Sequence, residues 1–282
     1  MCIEHKDLSV YDNGQVALKG DLLSVFNSLD TRFKDIAHKY GAVEHQYPSF
    51  IQAKELNKLD YLHSFPQHVT FPVVLDDTDD NLKTFRALNQ TVADAKITLS
   101  QITDVENVLT PAACYHVYID HQGQTFDSTR VFTTKCTCYR REKYYRPLER
   151  QWNFSMREII LIGERIDVKE KLNAIRDDLH ELANHMGLNT NFQTATDAFF
   201  DPSNNPKYLL QKIHPNKHEL LFNYELAIAS VNEHRNYFGE TFEITIAGGP
   251  AFSGCVAFGI ERWIFALLTQ HGPTIKDWPI EF

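Results

Sequence analysis

Apolar positions recur with a helical period in two long stretches. Residues 21–40 carry Leu22, Val25, Phe26, Leu29, Phe33, Ile36 and Ala37 on one face. From Asp167 onward Val168, Leu172, Ile175, Leu179, Leu182 and Met186 alternate steps of four and three residues. Asp167 and Glu170 make a capping-box-like start to that helix, and Gly187 is its stop. Two further helices are predicted, over 81–103 and from Val256 to Gln270, the latter closed by Gly272 and Pro273. Strands rich in Val, Ile, Tyr, Phe and Thr are predicted over 113–119, 130–142, 152–163, 224–232 and 241–247. Strands bunched into hairpins, with helices before, between and after them, predict an α+β fold in which helices flank a largely antiparallel sheet. No repeat, low-complexity tract or linker divides the chain, so residues 1–282 read as one domain.

Composition narrows the function more than the fold. With 43% hydrophobic residues the chain can bury a large core, and its formal net charge of -9 argues against a protein that grips DNA or tRNA. No apolar run approaches the ~20 residues of a membrane span. The start, MCIEHKDLSV, lacks a signal-peptide pattern, so a cytoplasmic protein is expected. Cys2, Cys114, Cys136, Cys138 and Cys255 are an odd set in such a chain, pointing to free thiols or metal ligands rather than a disulfide framework.

The densest chemistry lies in residues 136–163. Alternate residues of a strand share a face, which groups Cys138, Arg140 and Glu142 on the outgoing strand and Phe154, Met156 and Glu158 on the return. Facing one pocket, they are suitable parts for ATP: Arg140 for a phosphate, Phe154 for stacking on adenine, Glu142 for its amino group. A charged surface hairpin fits the same spacing, so periodicity alone leaves both readings open. There is no GxGxxG or Walker loop, so a nucleotide site would rest on arginine side chains.

The segment resembles the second signature motif of class II aminoacyl-tRNA synthetases of the seryl type. That resemblance puts the phosphate-binding arginine on Arg140, the adenine-contacting glutamate on Glu142 and the stacking phenylalanine on Phe154. SGCVAFGIERWIFALL is similar to the third motif, whose second ATP-binding arginine falls on Arg262. The first motif, a dimer-forming helix with a following proline, is matched at YPSFIQAKELNKLDYLHSFP, with Pro48 in the motif position. Among such proteins the chain is closest in pattern to the amino acid:[carrier protein] ligases, truncated homologues of archaeal-type seryl synthetases.

The resemblance implies a class II synthetase-like antiparallel sheet flanked by helices, and a homodimer. It implies one catalytic zinc per chain, held by Cys114, Glu158 and Cys255 in the contexts AACYHVY, MREIILIG and SGCVAFGIERW, with a fourth position left for the substrate amine. The rival set, Cys136 and Cys138 with a histidine, ranks behind it, and His116, His214 and His234 read as structural or solvated. Magnesium should accompany ATP, with Glu219, Asn232 and Glu243 as candidate ligands.

The implied activity is ATP-dependent adenylation of a small amino acid, glycine favoured and alanine next. Transfer to the phosphopantetheine thiol of a carrier protein follows. Only about 40 residues precede the first-motif region, which together with the acidic charge disfavours tRNA as acceptor. A minimal tRNA synthetase and a non-catalytic synthetase paralogue remain the alternatives. The helix at about 167–187 is the candidate carrier-docking element: its apolar stripe packs inward, leaving Lys169, Lys171 and Arg176 for an acidic partner or for helical pairing with Glu170 and Asp177.

Overall fold

The computed structural model describes residues 4–90 and 96–280; Cys2 lies outside them. A hairpin of β1 (Leu8–Val10) and β2 (Val16–Leu18) leads into α1 (Gly20–Lys39), which buries the predicted stripe Leu22, Val25, Leu29, Phe33 and Ala37. β3 (Val43–His45) and β4 (Phe50–Gln52) follow, then two short helices, α2 (Ala53–Lys58) and α3 (Tyr61–Ser64). The long helix that leads towards Pro48 is therefore α1, and the stretch from Tyr47 to Pro66 holds only short ones.

Helix α4 (Asp79–Leu88) is shorter than the span predicted to 103. The Asn89 amide ends it by bonding the carbonyls of Phe85 and Thr98, both at 2.9 Å. Residues 91–95 of the predicted span lie outside the described residues. After β5 (Asn107–Leu109) comes α5 (Cys114–Asp120), where a strand was predicted over 113–119. The β-favouring side chains of CYHVYID are overridden by packing: Cys114, Val117 and Tyr118, at helical spacing, are buried, and so is His116.

β6 (Thr125–Phe126) precedes the central hairpin of β7 (Arg130–Tyr139) and β8 (Asn153–Gly163). Cys138 lies opposite Phe154, Cys136 opposite Met156 and Thr134 opposite Glu158, so these residues do share one face. Helix α6 (Arg165–His185) begins two residues before Asp167, with extended Glu164 at its N-cap. The expected capping box is thus absent, and Asp167 instead pairs with Lys171 at 2.6 Å. Gly187 adopts φ +65° just past the helix end, as a stop should.

The remaining elements are β9 (Thr190–Thr194), α7 (Pro206–Ile213), β10 (Lys217–Phe222), β11 (Leu226–Arg235) and α8 (Tyr237–Thr241). β12 (Thr245–Ile246), β13 (Gly249–Pro250), β14 (Phe252–Gly259) and α9 (Ile260–His271) complete the fold. The strand predicted over 241–247 is broken at Glu243, whose φ is +55°. The helix predicted from Val256 starts only at Ile260, because 252–259 is a strand buried on both faces. Val256 and Phe258 enter one core and Cys255 and Ala257 the other side.

The seven-stranded sheet has the order β3-β7-β8-β14-β11-β10-β9, antiparallel except where β3 runs parallel to β7. Helices α1, α6 and α9 seal one face through Phe33, Ile159, Leu161, Phe258 and Trp263. The opposite face meets α5, α8 and the segment around α2 and α3. No helix among the described residues is long and apolar enough to cross a membrane.

Candidate active site

Alternation along β8 puts Glu158 on the face opposite the large helical core, where it is 2% exposed. Two chain-distant elements converge on it. The backbone N–H of Cys114, the first residue of α5, donates to Glu158 Oε2 at 2.5 Å. Cys255, on the neighbouring strand β14, brings its Sγ to 3.3 Å from Glu158 Oε1. The three ligand atoms lie within 4.8 Å of one another.

None of the three groups charges easily where it sits. Its bond to Cys255, burial and the adjacent Glu158 push the Cys114 thiol well above its ordinary range. For Cys255 the bond from Cys114 pulls downward, but burial and Glu158 carry the thiol up. Burial raises the Glu158 carboxyl. Two thiolates and a carboxylate crowded together need a cation to exist as anions. Two sulfurs and an oxygen at this spacing fit tetrahedral zinc, whose ~2.0–2.3 Å bonds put neighbouring ligands roughly 3.5 Å apart and leave a fourth position open. Cys136 and Cys138 share the face but do not join this group.

Around Cys255 the walls are polar. Asn232 Nδ2 is 3.5 Å and His234 Nε2 3.6 Å from its Sγ. His234 also meets the Tyr118 hydroxyl through Nδ1 at 3.1 Å, and burial pushes its pKa down to about 4. Sequence reading set His234 aside, because its position in the bulge where β11 meets β14 is not visible in a linear pattern.

Arg140 sits just beyond β7, its Cζ 5.5 Å from the Phe154 ring centre and its Nε donating to the Pro111 carbonyl at 2.8 Å. Arg262, in the first turn of α9, donates to the carbonyls of Glu149 and Ala227, both at 2.8 Å. Burial and repulsion from Arg150 and Arg140 pull its pKa down to about 10. Arg150 and Arg140 thus lie near enough to Arg262 to oppose its charge. Glu142 pairs with Arg150 at 2.9 Å. Next to Arg262, both oxygens of Glu261 accept the Ser155 N–H at 2.9 Å, and burial lifts its pKa to about 7.

The magnesium candidates separate. Glu219 and Asn232 lie on adjacent strands β10 and β11, with Lys217 beside Glu219 at 3.6 Å, whereas Glu243 is exposed in the turn before β12. Sequence reading missed Asp197, held by Lys217 Nζ at 2.7 Å and Gln211 Nε2 at 2.8 Å, since these partners follow no motif. On α6, Lys169 pairs with Glu233 at 3.3 Å, Lys171 with Asp167, and Arg176 stacks 4.6 Å over Phe192. None of these partners is Glu170 or Asp177.

The fold is that of class II aminoacyl-tRNA synthetases. It matches the seryl-tRNA synthetase of M. kandleri, solved with A. aeolicus tRNASec, at a TM-score of 0.78 and 18% identity. The match covers 97% of this chain but 56% of that one, so the chain spans just over half the length of the synthetase. No family model matches. Among curated proteins, amino acid--[acyl-carrier-protein] ligase 1 of Bradyrhizobium diazoefficiens is 32% identical over 242 residues, covering 83% of this chain and 73% of the relative. Ligase 2 of the same organism is 30% identical over 247 residues, covering 83% and 72%. The chain belongs to the amino acid--[acyl-carrier-protein] ligase family.

Proposed function

We propose that this protein activates a small amino acid with ATP and passes the aminoacyl group to the phosphopantetheine thiol of a carrier protein. The observation that carries the reading is the convergence of Cys114, Glu158 and Cys255 on one buried point of the sheet face that also bears Phe154, with Arg140 at the strand end. Zinc held by the three would bind and orient the substrate amine.

The chain's own groups do the rest. Phe154 stacks on adenine and Glu142 accepts from its amino group. Arg140 and Arg262 bind the phosphates of ATP and take up the charge that develops there. Attack of the carboxylate oxygen on the α-phosphorus breaks the bond to pyrophosphate. The carrier thiol, losing its proton, then attacks the adenylate carbonyl and AMP leaves. Preorganised guanidinium groups favour the charge that builds on phosphorus. Magnesium accompanies ATP, with Glu219 and Asn232 on the reaction face; Glu243 is a more remote candidate. Glycine is the favoured amino acid and alanine the next, as the family likeness implies.

The working unit is proposed as a homodimer of this single domain. Carrier docking is placed on α6, where Lys169, Lys171 and Arg176 would exchange internal partners for acids of the carrier. The decisive experiment is ATP–pyrophosphate exchange across the amino acids, followed by transfer to carrier protein or to tRNA. Exchange with glycine or alanine and transfer only to carrier is expected. Transfer to tRNA would make the protein a minimal synthetase, and absence of exchange with every amino acid would make it a binding paralogue.

A further inference from the structure

We infer that His234, oriented by Tyr118 and assisted by Asn232, is a positioning residue that holds the Cys255 sulfur as a metal-binding thiolate; the inference rests on the zinc reading above. Three observations carry it. His234 Nε2 and Asn232 Nδ2 both approach Cys255 Sγ, at 3.6 and 3.5 Å. The other ring nitrogen, Nδ1, lies 3.1 Å from the Tyr118 hydroxyl. The imidazole is clamped in place, edge-on to Phe238 at 4.8 Å, while Tyr118 stacks flat on Phe238 at 3.9 Å.

These contacts fix the direction of the hydrogen bonds. A thiolate accepts and cannot donate, so the imidazole proton must sit on Nε2. Nδ1 is then an acceptor, and the Tyr118 O–H donates to it. The Asn232 amide turns the same way, since its N–H also serves Ser230 Oγ at 3.1 Å. Cys255 thus receives two N–H donors, whereas the partners of Cys114 are the other two ligands themselves. Donors around a metal thiolate settle its charge and fix its orientation, and their loss typically weakens metal binding about ten- to a hundredfold.

Metal affinity tests this apart from catalysis. Zinc dissociation constants of the purified full chain would be measured by chelator competition, and the thiolate-to-metal absorption band read after cobalt substitution. His234→Leu should bind zinc at least about tenfold more weakly and shift the cobalt band. His234→Gln, which restores an N–H near the Nε2 position, should recover most of both. Tyr118→Phe keeps the ring stack and should weaken binding in the same direction, which keeps the idea testable if His234→Leu does not fold. Wild-type affinity and an unshifted band in both His234→Leu and Tyr118→Phe would overturn the inference. So would equal losses in His234→Leu and His234→Gln. A wild-type protein that binds no zinc would fail the metal reading itself, a result distinct from either.

Discussion

Arg157 and Glu158 are neighbours on β8, equally buried at 2% exposure, and they face opposite sides of the sheet. Towards the helices, Arg157 is saturated. It clasps Asp30 through Nε and Nη2 at 2.8 and 3.0 Å, and Nη1 reaches Glu44 at 3.0 Å and Thr133 at 3.4 Å. Although burial opposes ionisation, Arg157 and Lys135 hold the Asp30 carboxyl below its ordinary range. Glu158 has the opposite situation. Its nearest groups are an N–H and two thiols, and its carboxyl is driven up. One face has closed its electrostatics with its own residues; the other has left them open. A buried charge fully partnered by its own chain is a structural device, whereas one lacking a counter-charge marks where something else binds.

The largest test of that contrast is removal of a ligand. Cys255→Ser or Glu158→Gln should lose zinc, measured by elemental analysis, and lower pyrophosphate exchange by about a thousandfold or more, the loss of metal assistance amounting to several kcal/mol. The fold should persist by circular dichroism, because no buried ion pair has been broken. Arg157→Leu should do the reverse. Asp30 then keeps Lys135 at 3.0 Å, and loss of the buried bidentate pair costs about 3 kcal/mol in denaturant unfolding, while exchange per folded molecule stays near wild type at low temperature.

Next in size, Arg140→Ala should slow exchange by about a hundred- to a thousandfold, or roughly 3–4 kcal/mol, with little change in unfolding midpoint. The smallest effect sharpens the comparison through pH. Glu261 is raised in the folded chain from 4.5 to about 7, mainly by burial. Its contribution to stability is therefore full below the unfolded value and is lost as pH rises through about 7. Glu261→Gln should remove on the order of 2 kcal/mol of that decline between pH 5 and 8, read as the difference between the two unfolding curves.

Where one buried face decided an element, the sequence was enough. The stripes of α1 and α6 follow from side-chain period alone, and the hairpin of β7 and β8, buried on both faces, follows from its richness in strand-forming residues. The misreadings fall where both faces are buried or where packing outweighs propensity. CYHVYID carries strand-forming side chains yet coils as α5, delivering the Cys114 N–H to Glu158. The helix expected from Val256 starts only at Ile260, because Val256 belongs to β14, which places Cys255 on a strand beside Glu158. The three candidate ligands come from family likeness, whereas the helix that bears Cys114 and the strand that bears Cys255 are visible only in the fold. Asp197, His234 and Arg157 draw their meaning from partners whose positions only the fold reveals.

The spacing of the three ligands has a consequence for how the chain assembles. Cys114 and Glu158 are separated by 44 residues, and Glu158 and Cys255 by 97. A divalent ion gripping all three would be a knot tied across half of the chain, closing two large loops. An unfolded chain would meet the full entropic cost of closing both, so the ion has almost no purchase before β8 and β14 have paired. On the proposed zinc site, metal loading would be a late event that ratchets an already assembled sheet. Scavenging zinc from the medium should leave folding speed nearly untouched while making the finished protein easier to pull apart.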